Sequence, residues 1–398
     1  MSRQMKIKRI YAFAMKQVTG GARGVAEADE VSIRRPAWMD GAEVANPMSR
    51  YPRYKALRAS WMGDLPDVGC LVITEDDQWG FGCTNQGGAS VSLINDALGK
   101  RLVGENALAT DRLYDMMLRL ASPYSPSGLA SYAISAIDLA LWDLKGKALN
   151  MPVYELAGGP ARDRQFCYAT GNDTDWHMEI GFKATKLACP YGAADGLDAI
   201  DRNEAFVAAA RDLIGPHVEL MLDCWMAFDV EFAVRLAERL RPLRLKWIED
   251  CLVPENMRAH RQLRQRLPWQ TLTAGEHWYT PYTFFEAAAD HLVDIFQPDI
   301  HWAGGFTACQ RISHIADAAG IEVMLHAGMN TPYGQHFVYA CPNSSWGEYF
   351  VGGAPGLPLN RKARFPGMAT PVDGYCVPSD APGFGHGLSL DDIEALKL

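Results

Sequence analysis

The chain has 398 residues, of which 48% are apolar and 21% charged, and these proportions exclude wholesale disorder. The net charge of −9, with acidic and basic residues interleaved, argues against nucleic acid as a partner. No apolar run is long enough for a membrane span, and the first residues lack the apolar core of a signal peptide, so we expect a cytoplasmic protein. The nine cysteines include no C-x-x-C pair, which is typical of buried thiols in a reducing compartment.

The first part of the chain predicts a small α+β domain with a long loop. The predicted elements are a strand at 6–15, a hairpin of strands 70–74 and 79–84, and helices at 92–102 and 109–120. The polar stretch between the first strand and the hairpin has the length of a functional lid. We therefore predict a capping domain at 1–125, with a substrate lid loop at about 16–65.

The rest of the chain alternates strands and helices after a long apolar helix at 126–148. The predicted strands are 165–169, 184–188, 219–222, 246–248, 272–274, 295–297, 323–325 and 346–350. This alternation implies a parallel sheet with crossover helices, and the number of units implies closure into a barrel. The predicted fold class is α/β, an α+β capping domain plus a modified TIM-type (β/α)7β barrel at 126–370. We expect the loop-rich segment 371–398 to pack back on the capping domain.

Polar side chains stand at the carboxyl ends of successive predicted barrel strands, each about one βα unit from the next. In a parallel barrel these positions share one mouth. Each of these side chains alone is weak evidence for an active site, because a strand-end carboxylate often caps the next helix and a lone histidine is usually structural. Together and in this order they indicate an active site, and they are Asp223, Glu249, Glu276, Asp299, His326 and Glu348.

The residue types point to proton abstraction beside a carboxylate. Asp223, Glu249 and Glu276 repel one another unless a cation neutralises them, and oxygen ligands suit one Mg²⁺ per subunit. Such an ion clamps a substrate carboxylate and stabilises a second negative charge on it. His326 is the predicted base, with Asp299 supporting its imidazole. Glu348 is expected to hydrogen-bond the developing oxyanion if it is protonated. His277 follows Glu276, but strand alternation points it elsewhere, so we interpret it as structural.

At these motifs the chain resembles the enolase superfamily, in the mandelate racemase-like group, and within it the acid-sugar dehydratases of the L-rhamnonate type. The resemblance covers nearly the full length. Its segments are NPMSRY at 46–51, IDLALWDLKG at 137–146, PVYEL at 152–156, YATG at 168–171, MLDCWM at 221–226, KWIE at 246–249, GEH at 275–277, QPD at 297–299 and PGFG at 382–385. It implies Mg²⁺ on the three carboxylates, a His326–Asp299 base, Glu348 at the substrate carboxylate, and a homo-oligomer, dimer to octamer.

The second barrel strand separates two reaction types within that group. Racemases carry Lys-x-Lys there, which places a second base on the opposite face of the substrate. Here Lys186 is present and is expected to hold the substrate carboxylate, but the second position is Ala188. The resemblance therefore implies dehydration of a sugar acid, an aldonate, to a 2-keto-3-deoxy acid. A racemase or epimerase of a 2-hydroxy acid, and a non-catalytic sugar-acid-binding paralogue, remain alternatives.

The lid departs from the rhamnonate type at one position. That type carries a histidine before a tryptophan, and here Ala37 precedes Trp38. Arg58 still matches a basic lid residue, so Trp38 and Arg58 are the predicted lid contacts with substrate. Since an unpaired hydroxyl costs a kilocalorie or more, losing this contact changes which isomer fits. L-rhamnonate and a related acid such as L-lyxonate both remain open as substrates.

Overall fold

The computed structural model describes residues 5–15, 36–55, 65–361 and 364–398. Arg58 and most of the predicted lid loop lie outside these ranges. Within them, the search for a helix with the length and apolarity of a membrane span finds none.

The helices and strands are interleaved along the whole chain. The helices are α1 Ala37–Asp40, α2 Gly99–Leu102, α3 Thr110–Ala121, α4 Leu129–Leu149, α5 Val153–Leu156, α6 Thr174–Glu179, α7 Asp198–Ile214, α8 Val230–Leu240, α9 Met257–Arg266, α10 Thr280–Ala289, α11 Gly305–Ala318, α12 Pro332–Ala340 and α13 Leu390–Ala395. The strands are β1 Ile7–Met15, β2 Asp67–Thr74, β3 Trp79–Thr84, β4 Gln165–Thr170, β5 Ala184–Ala188, β6 Glu219–Asp223, β7 Ile248–Glu249, β8 Leu272–Ala274, β9 Ile295–Phe296, β10 Glu322–Val323, β11 Trp346–Phe350 and β12 Tyr375–Cys376.

The capping domain is an antiparallel sheet in the order β1-β2-β3 with helices against it. Asp77 adopts φ 58° in the turn between β2 and β3, a conformation that aspartate tolerates better than most residues. The predicted helix at 92–102 begins as a π-helix, Leu93–Leu98, and its residue Asn95 contacts β1. That side chain accepts from the Ala12 N–H at 2.7 Å and donates to the Ala12 carbonyl at 2.9 Å, satisfying the edge of the sheet.

The barrel sheet has the parallel order β11-β4-β5-β6-β7-β8-β9-β10, with α6 to α12 as the seven crossover helices. This arrangement confirms the predicted (β/α)7β barrel. The Val323 N–H donates to the Asn343 carbonyl at 2.9 Å and links β10 to the segment before β11. Carboxyl ends of all eight strands therefore face one mouth.

α4 and the C-terminal segment join the two layers. α4 shares a buried core with the capping sheet, although the predicted boundary at 125 places it with the barrel. The Phe384 N–H donates to Asp143 of α4, and the Leu398 N–H donates to the Ala14 carbonyl of β1. The boundaries at 125 and 370 stay predictions.

Candidate active site

Sharp turns follow the barrel strands and decide which side chains reach the mouth. Trp225, Asp250 and Ala327 adopt φ values of 43°, 48° and 47°, directly after the functional strand ends, and Gly275 has φ 134°. Non-glycine residues in this region are strained and are held by surrounding structure, commonly at active sites. Because the turns interrupt the alternation of side chains, two consecutive residues can both point into the site.

The structure brings the predicted catalytic residues together. His326 Nδ1–H donates to Asp299 Oδ2 at 2.7 Å, and His326 Nε2 lies 3.3 Å from Glu276 Oε2. The second Asp299 oxygen accepts from the His301 N–H at 2.6 Å, which fixes the carboxylate. Burial alone lowers the pKa of His326, but the charges of Glu276 and Asp299 and the hydrogen bond to Asp299 raise it to about 10. The imidazole is therefore held in place by Asp299, and the two carboxylates favour its protonated form.

Lys186 lies at the centre of the mouth, between two carboxylates. Its Nζ contacts Glu249 Oε1 and lies 2.8 Å from Glu348 Oε1. Burial opposes the charge of Lys186, but Glu249 and Glu348 hold its pKa well above the usual range. The predicted substrate-carboxylate ligand thus already sits in a carboxylate-binding position.

Glu348 is surrounded by groups that favour its charged form. Burial raises its pKa, but the charges of Lys186 and His326 outweigh burial and leave the pKa below the usual value. Its oxygens also accept from Thr170 Oγ1 at 2.5 Å and from the Ala327 N–H at 2.8 Å. Glu348 is therefore a fixed carboxylate here, and the expectation that it hydrogen-bonds the developing oxyanion when protonated stays a prediction.

Glu249 is held by neutral donors as well as by Lys186. Its Oε2 accepts from Trp247 Nε1 at 3.0 Å and from Gln297 Nε2 at 2.8 Å. Burial raises the pKa of Glu249, Lys186 lowers it and Asp223 raises it, with a result of about 7. Burial is the main cause of this raised pKa, and the negative charges of Asp223 and Glu348 add to it.

The predicted metal ligands have two neighbours that the sequence analysis did not use. Asp250, Glu276 and His277 each offer a ligand atom, all within 4.8 Å of one another. His277 Nε2 lies 3.0 Å from Glu276 Oε1, so the expectation that its side chain points elsewhere is wrong, whereas its interpretation as structural stays a prediction. The signal was present in the doublets Glu249-Asp250 and Glu276-His277, but strand alternation excluded their second members. Asp223 lies beside this group, and its Oδ1 accepts from the Trp225 N–H at 2.9 Å.

Trp302 forms an aromatic wall beside the base. Its indole stacks on His326 at a centroid distance of 5.2 Å and on His277 at 5.3 Å. Tyr132 of α4 stacks on the same indole at 5.7 Å and lies 6.0 Å from Tyr279. The wall fixes both imidazole planes, and nothing in the sequence pattern marked it.

The described part of the lid covers the opposite side of the mouth. Trp38 is buried and packs edge-on against Phe350 at a centroid distance of 6.1 Å. It belongs to an apolar cluster with Ala188 and Trp225. Ala37, where the rhamnonate type has histidine, is exposed. The mouth next to Ala188 is therefore apolar.

A capped α/β barrel with a carboxylate cluster, a histidine–aspartate pair and a buried lysine at its mouth defines a class of barrel enzymes. Residues 174–393 match the family model "Enolase C-terminal domain-like", and residues 71–158 match "Mandelate racemase / muconate lactonizing enzyme, N-terminal domain". The chain belongs to the enolase superfamily, in its mandelate racemase-like group.

Relatives and solved structures refine this assignment. The L-rhamnonate dehydratase of Saccharopolyspora erythraea is 37% identical over 351 residues, 87% of each chain. The crystal structure of rhamnonate dehydratase from Gibberella zeae complexed with Mg matches with a TM-score of 0.88 at 29% identity, over 100% of this chain and 97% of that one. The 3,6-anhydro-D-galactonate cycloisomerase from Zobellia galactanivorans matches with a TM-score of 0.75 at 25% identity, over 98% and 99%.

Proposed function

We propose that this protein is a Mg²⁺-dependent acid-sugar dehydratase, a hydro-lyase that converts an aldonate to a 2-keto-3-deoxy acid. L-rhamnonate, or a related acid such as L-lyxonate, is the proposed substrate. The observation that carries the proposal is the line Asp299–His326–Glu276 beside Lys186, a supported base next to a carboxylate-binding lysine. The similarity to L-rhamnonate dehydratases supports the substrate class.

The residues present fit a hard divalent cation. The proposed ligands Asp223, Glu249 and Glu276 offer only oxygen, which is the ligand type of Mg²⁺. Burial is the first cause of the raised pKa of Glu249, and the charges of Asp223 and Glu348, which a cation would neutralise, raise it further. When bound, Mg²⁺ would act as a Lewis acid that stabilises extra negative charge on the substrate carboxylate.

The chain's own residues then perform one elimination. Lys186, released to the substrate, binds its carboxylate, and His326 Nε2 removes the C2 proton while Asp299 holds the protonated imidazole in place. The electron pair left at C2 expels the 3-hydroxyl, and the His326 imidazolium gives its proton to that leaving group as water departs. The enol that remains tautomerises to the 2-keto-3-deoxy acid.

A racemase or epimerase needs a base on the other face of C2. Ala188 occupies that side, 2% exposed and packed with Trp38 and Trp225. This apolar surround supports elimination over inversion. Inverted product without loss of water would favour the racemase.

A panel of aldonic acids tests the proposal. The protein, loaded with Mg²⁺, should release 2-keto-3-deoxy product from at least one acid, with C2–H exchange in deuterated water. Comparing kcat/KM for L-rhamnonate and L-lyxonate identifies the preferred chain length. Thermal stabilisation by an acid without turnover would instead indicate the binding paralogue.

We also propose a cytoplasmic homo-oligomer. Sedimentation at several protein concentrations would test the oligomeric state.

A further inference from the structure

Asp250 is a buried carboxylate that the proposed mechanism does not use. Its residue is 5% exposed, and Oδ2 has no hydrogen-bond partner among the described residues. A buried carboxylate oxygen without a donor is costly, and such atoms call for an ion or an ordered water. The neighbouring Glu249 differs from Asp250, because both carboxylate oxygens of Glu249 accept hydrogen bonds.

The backbone holds Asp250 in this unfavourable place. Its N–H donates to the Thr273 carbonyl at 3.0 Å, and its carbonyl accepts from the Met226 N–H at 2.6 Å. These bonds tie the turn after β7 to both neighbouring strands while the residue keeps φ 48°. Strain of this kind persists when the surrounding structure determines it, and it clusters at functional sites.

The carboxylate of Asp250 is directed towards Glu276. A ligand atom of each lies within 4.8 Å of the other and of the ligand atom of His277. Ligand atoms on opposite sides of an ion with bonds of about 2.1 Å lie about 4.2 Å apart, so this spacing suits a shared cation. Two observations, the orphaned oxygen and the spacing, thus concern the same carboxylate.

We propose that Asp250 is a fourth carboxylate of the cation site and holds the divalent ion together with Asp223, Glu249 and Glu276. The inference rests on the proposed function, because it concerns the same ion. It assigns a role to the second acidic residue of the Glu249-Asp250 doublet.

Mn²⁺ binding to the full chain, followed by electron paramagnetic resonance without substrate, tests this proposal. We expect Asp250→Asn to weaken Mn²⁺ binding about tenfold or more. Asp223→Asn is the positive control and should do the same. Asp229→Asn is the matched control. It removes one carboxylate charge, and asparagine can still accept the hydrogen bond with which Asp229 caps α8.

Thermal unfolding gives a readout that a merely structural role would not produce. Without metal, Asp250→Asn should not lower the melting temperature, because the carboxyl oxygen Oδ2 that it replaces makes no hydrogen bond among the described residues. Saturating Mg²⁺ should raise the melting temperature of Asp250→Asn by less than it raises that of the wild type. Asp250→Ser provides a second variant if the first folds poorly.

Unchanged Mn²⁺ affinity in both Asp250 variants, with binding lost in Asp223→Asn, would overturn the role of Asp250 alone. Binding that survives Asp223→Asn as well would place the ion elsewhere and overturn the proposed function with it. A lower melting temperature of metal-free Asp250→Asn, with normal affinity, would show that Asp250 is structural.

Discussion

At the scale of single residues, the chemistry depends most on His326. One imidazole serves both proposed steps, removal of the C2 proton and protonation of the leaving hydroxyl. His326→Asn keeps a similar shape but has no basic nitrogen, so we expect loss of both C2 exchange and dehydration by about 10³-fold or more. Proton exchange by nuclear magnetic resonance and product assay measure the two steps separately. Exchange that continues without dehydration would require another base.

Asp299 contributes to the basicity of that imidazole. Burial lowers the pKa of His326, and the charge of Glu276, followed by the hydrogen bond and the charge of Asp299, raises it. The base must be neutral to accept a proton, so kcat/KM falls as pH drops below the pKa of His326 in the free enzyme. Asp299→Asn removes the negative charge, and we expect the acid limb of the kcat/KM profile to move to lower pH, with a lower kcat. An unmoved acid limb would show that another group sets it.

Individual residues also show where sequence reasoning stops. The six strand-end groups follow from βα spacing alone, because any parallel barrel brings them to one mouth. The placement of Asp250 and His277 does not follow, since it depends on left-handed turns that break the strand alternation. The contacts of Lys186 with Glu249 and Glu348 depend on distances across the barrel, which spacing does not encode.

At the scale of elements, close packing of β3 on α4 fixes the cap to the barrel. A Cβ at Gly82 would lie 2.2 Å from the Ala136 carbonyl oxygen and 2.5 Å from the Ala140 nitrogen. Both are backbone atoms of α4 and cannot rotate away. We expect Gly82→Ala to lower the free energy of unfolding by about 1–3 kcal/mol, measured by urea denaturation.

Gly69 in β2 is the matched control for this packing. There a Cβ would meet the tip of the Phe13 ring at 2.7 Å, and that ring can move. Gly69→Ala should therefore cost less than Gly82→Ala. Equal losses at the two positions would contradict tight helix–sheet packing as the cause.

The bounds of elements were predictable where the pattern is local. Strands 184–188, 272–274 and 346–350 have the predicted bounds, because apolar runs end there at turns. The π-helix at Leu93–Leu98 was not predictable, since it depends on Asn95 meeting the exposed edge of β1. Local periodicity does not report such a contact between distant segments.

At the scale of the whole molecule, the C-terminal segment closes the joint between cap and barrel. The Gly383 N–H donates to the Met151 carbonyl, and the Gly383 carbonyl accepts from the Val153 N–H. His386 follows in an aromatic surround, 5.0 Å from Tyr333 and stacked on Phe384 at 5.9 Å between centroids. The segment contacts α4 at Phe384 and β1 of the capping domain at Leu398, and its assignment as a segment that packs back on the capping domain stays a prediction. No sequence pattern indicated the place of His386 in this joint.

His386 makes this joint sensitive to acid. Burial lowers its pKa to about 4, partly offset by Asp143, and neither ring nitrogen has a hydrogen-bond partner among the described residues. An unfolded histidine titrates near pH 6.5, so between that value and the folded pKa the unfolded chain binds more protons. The free energy of unfolding therefore falls as pH drops through this window. His386→Phe removes this titration. Relative to its effect at neutral pH, the substitution should raise the free energy of unfolding at pH 5 by about 2 kcal/mol.

The measurement is urea unfolding of both proteins at neutral pH and at pH 5, because the difference between the two conditions isolates protonation from packing. His314→Gln, on the exposed face of α11, is the control and should leave the pH dependence unchanged. His336 is also buried, with its pKa lowered to about 3, so some acid sensitivity should persist in His386→Phe. The variant and the wild type could instead lose the same free energy of unfolding between neutral pH and pH 5. That result would mean that His386 does not take up a proton on unfolding and that acid destabilises another part of the fold.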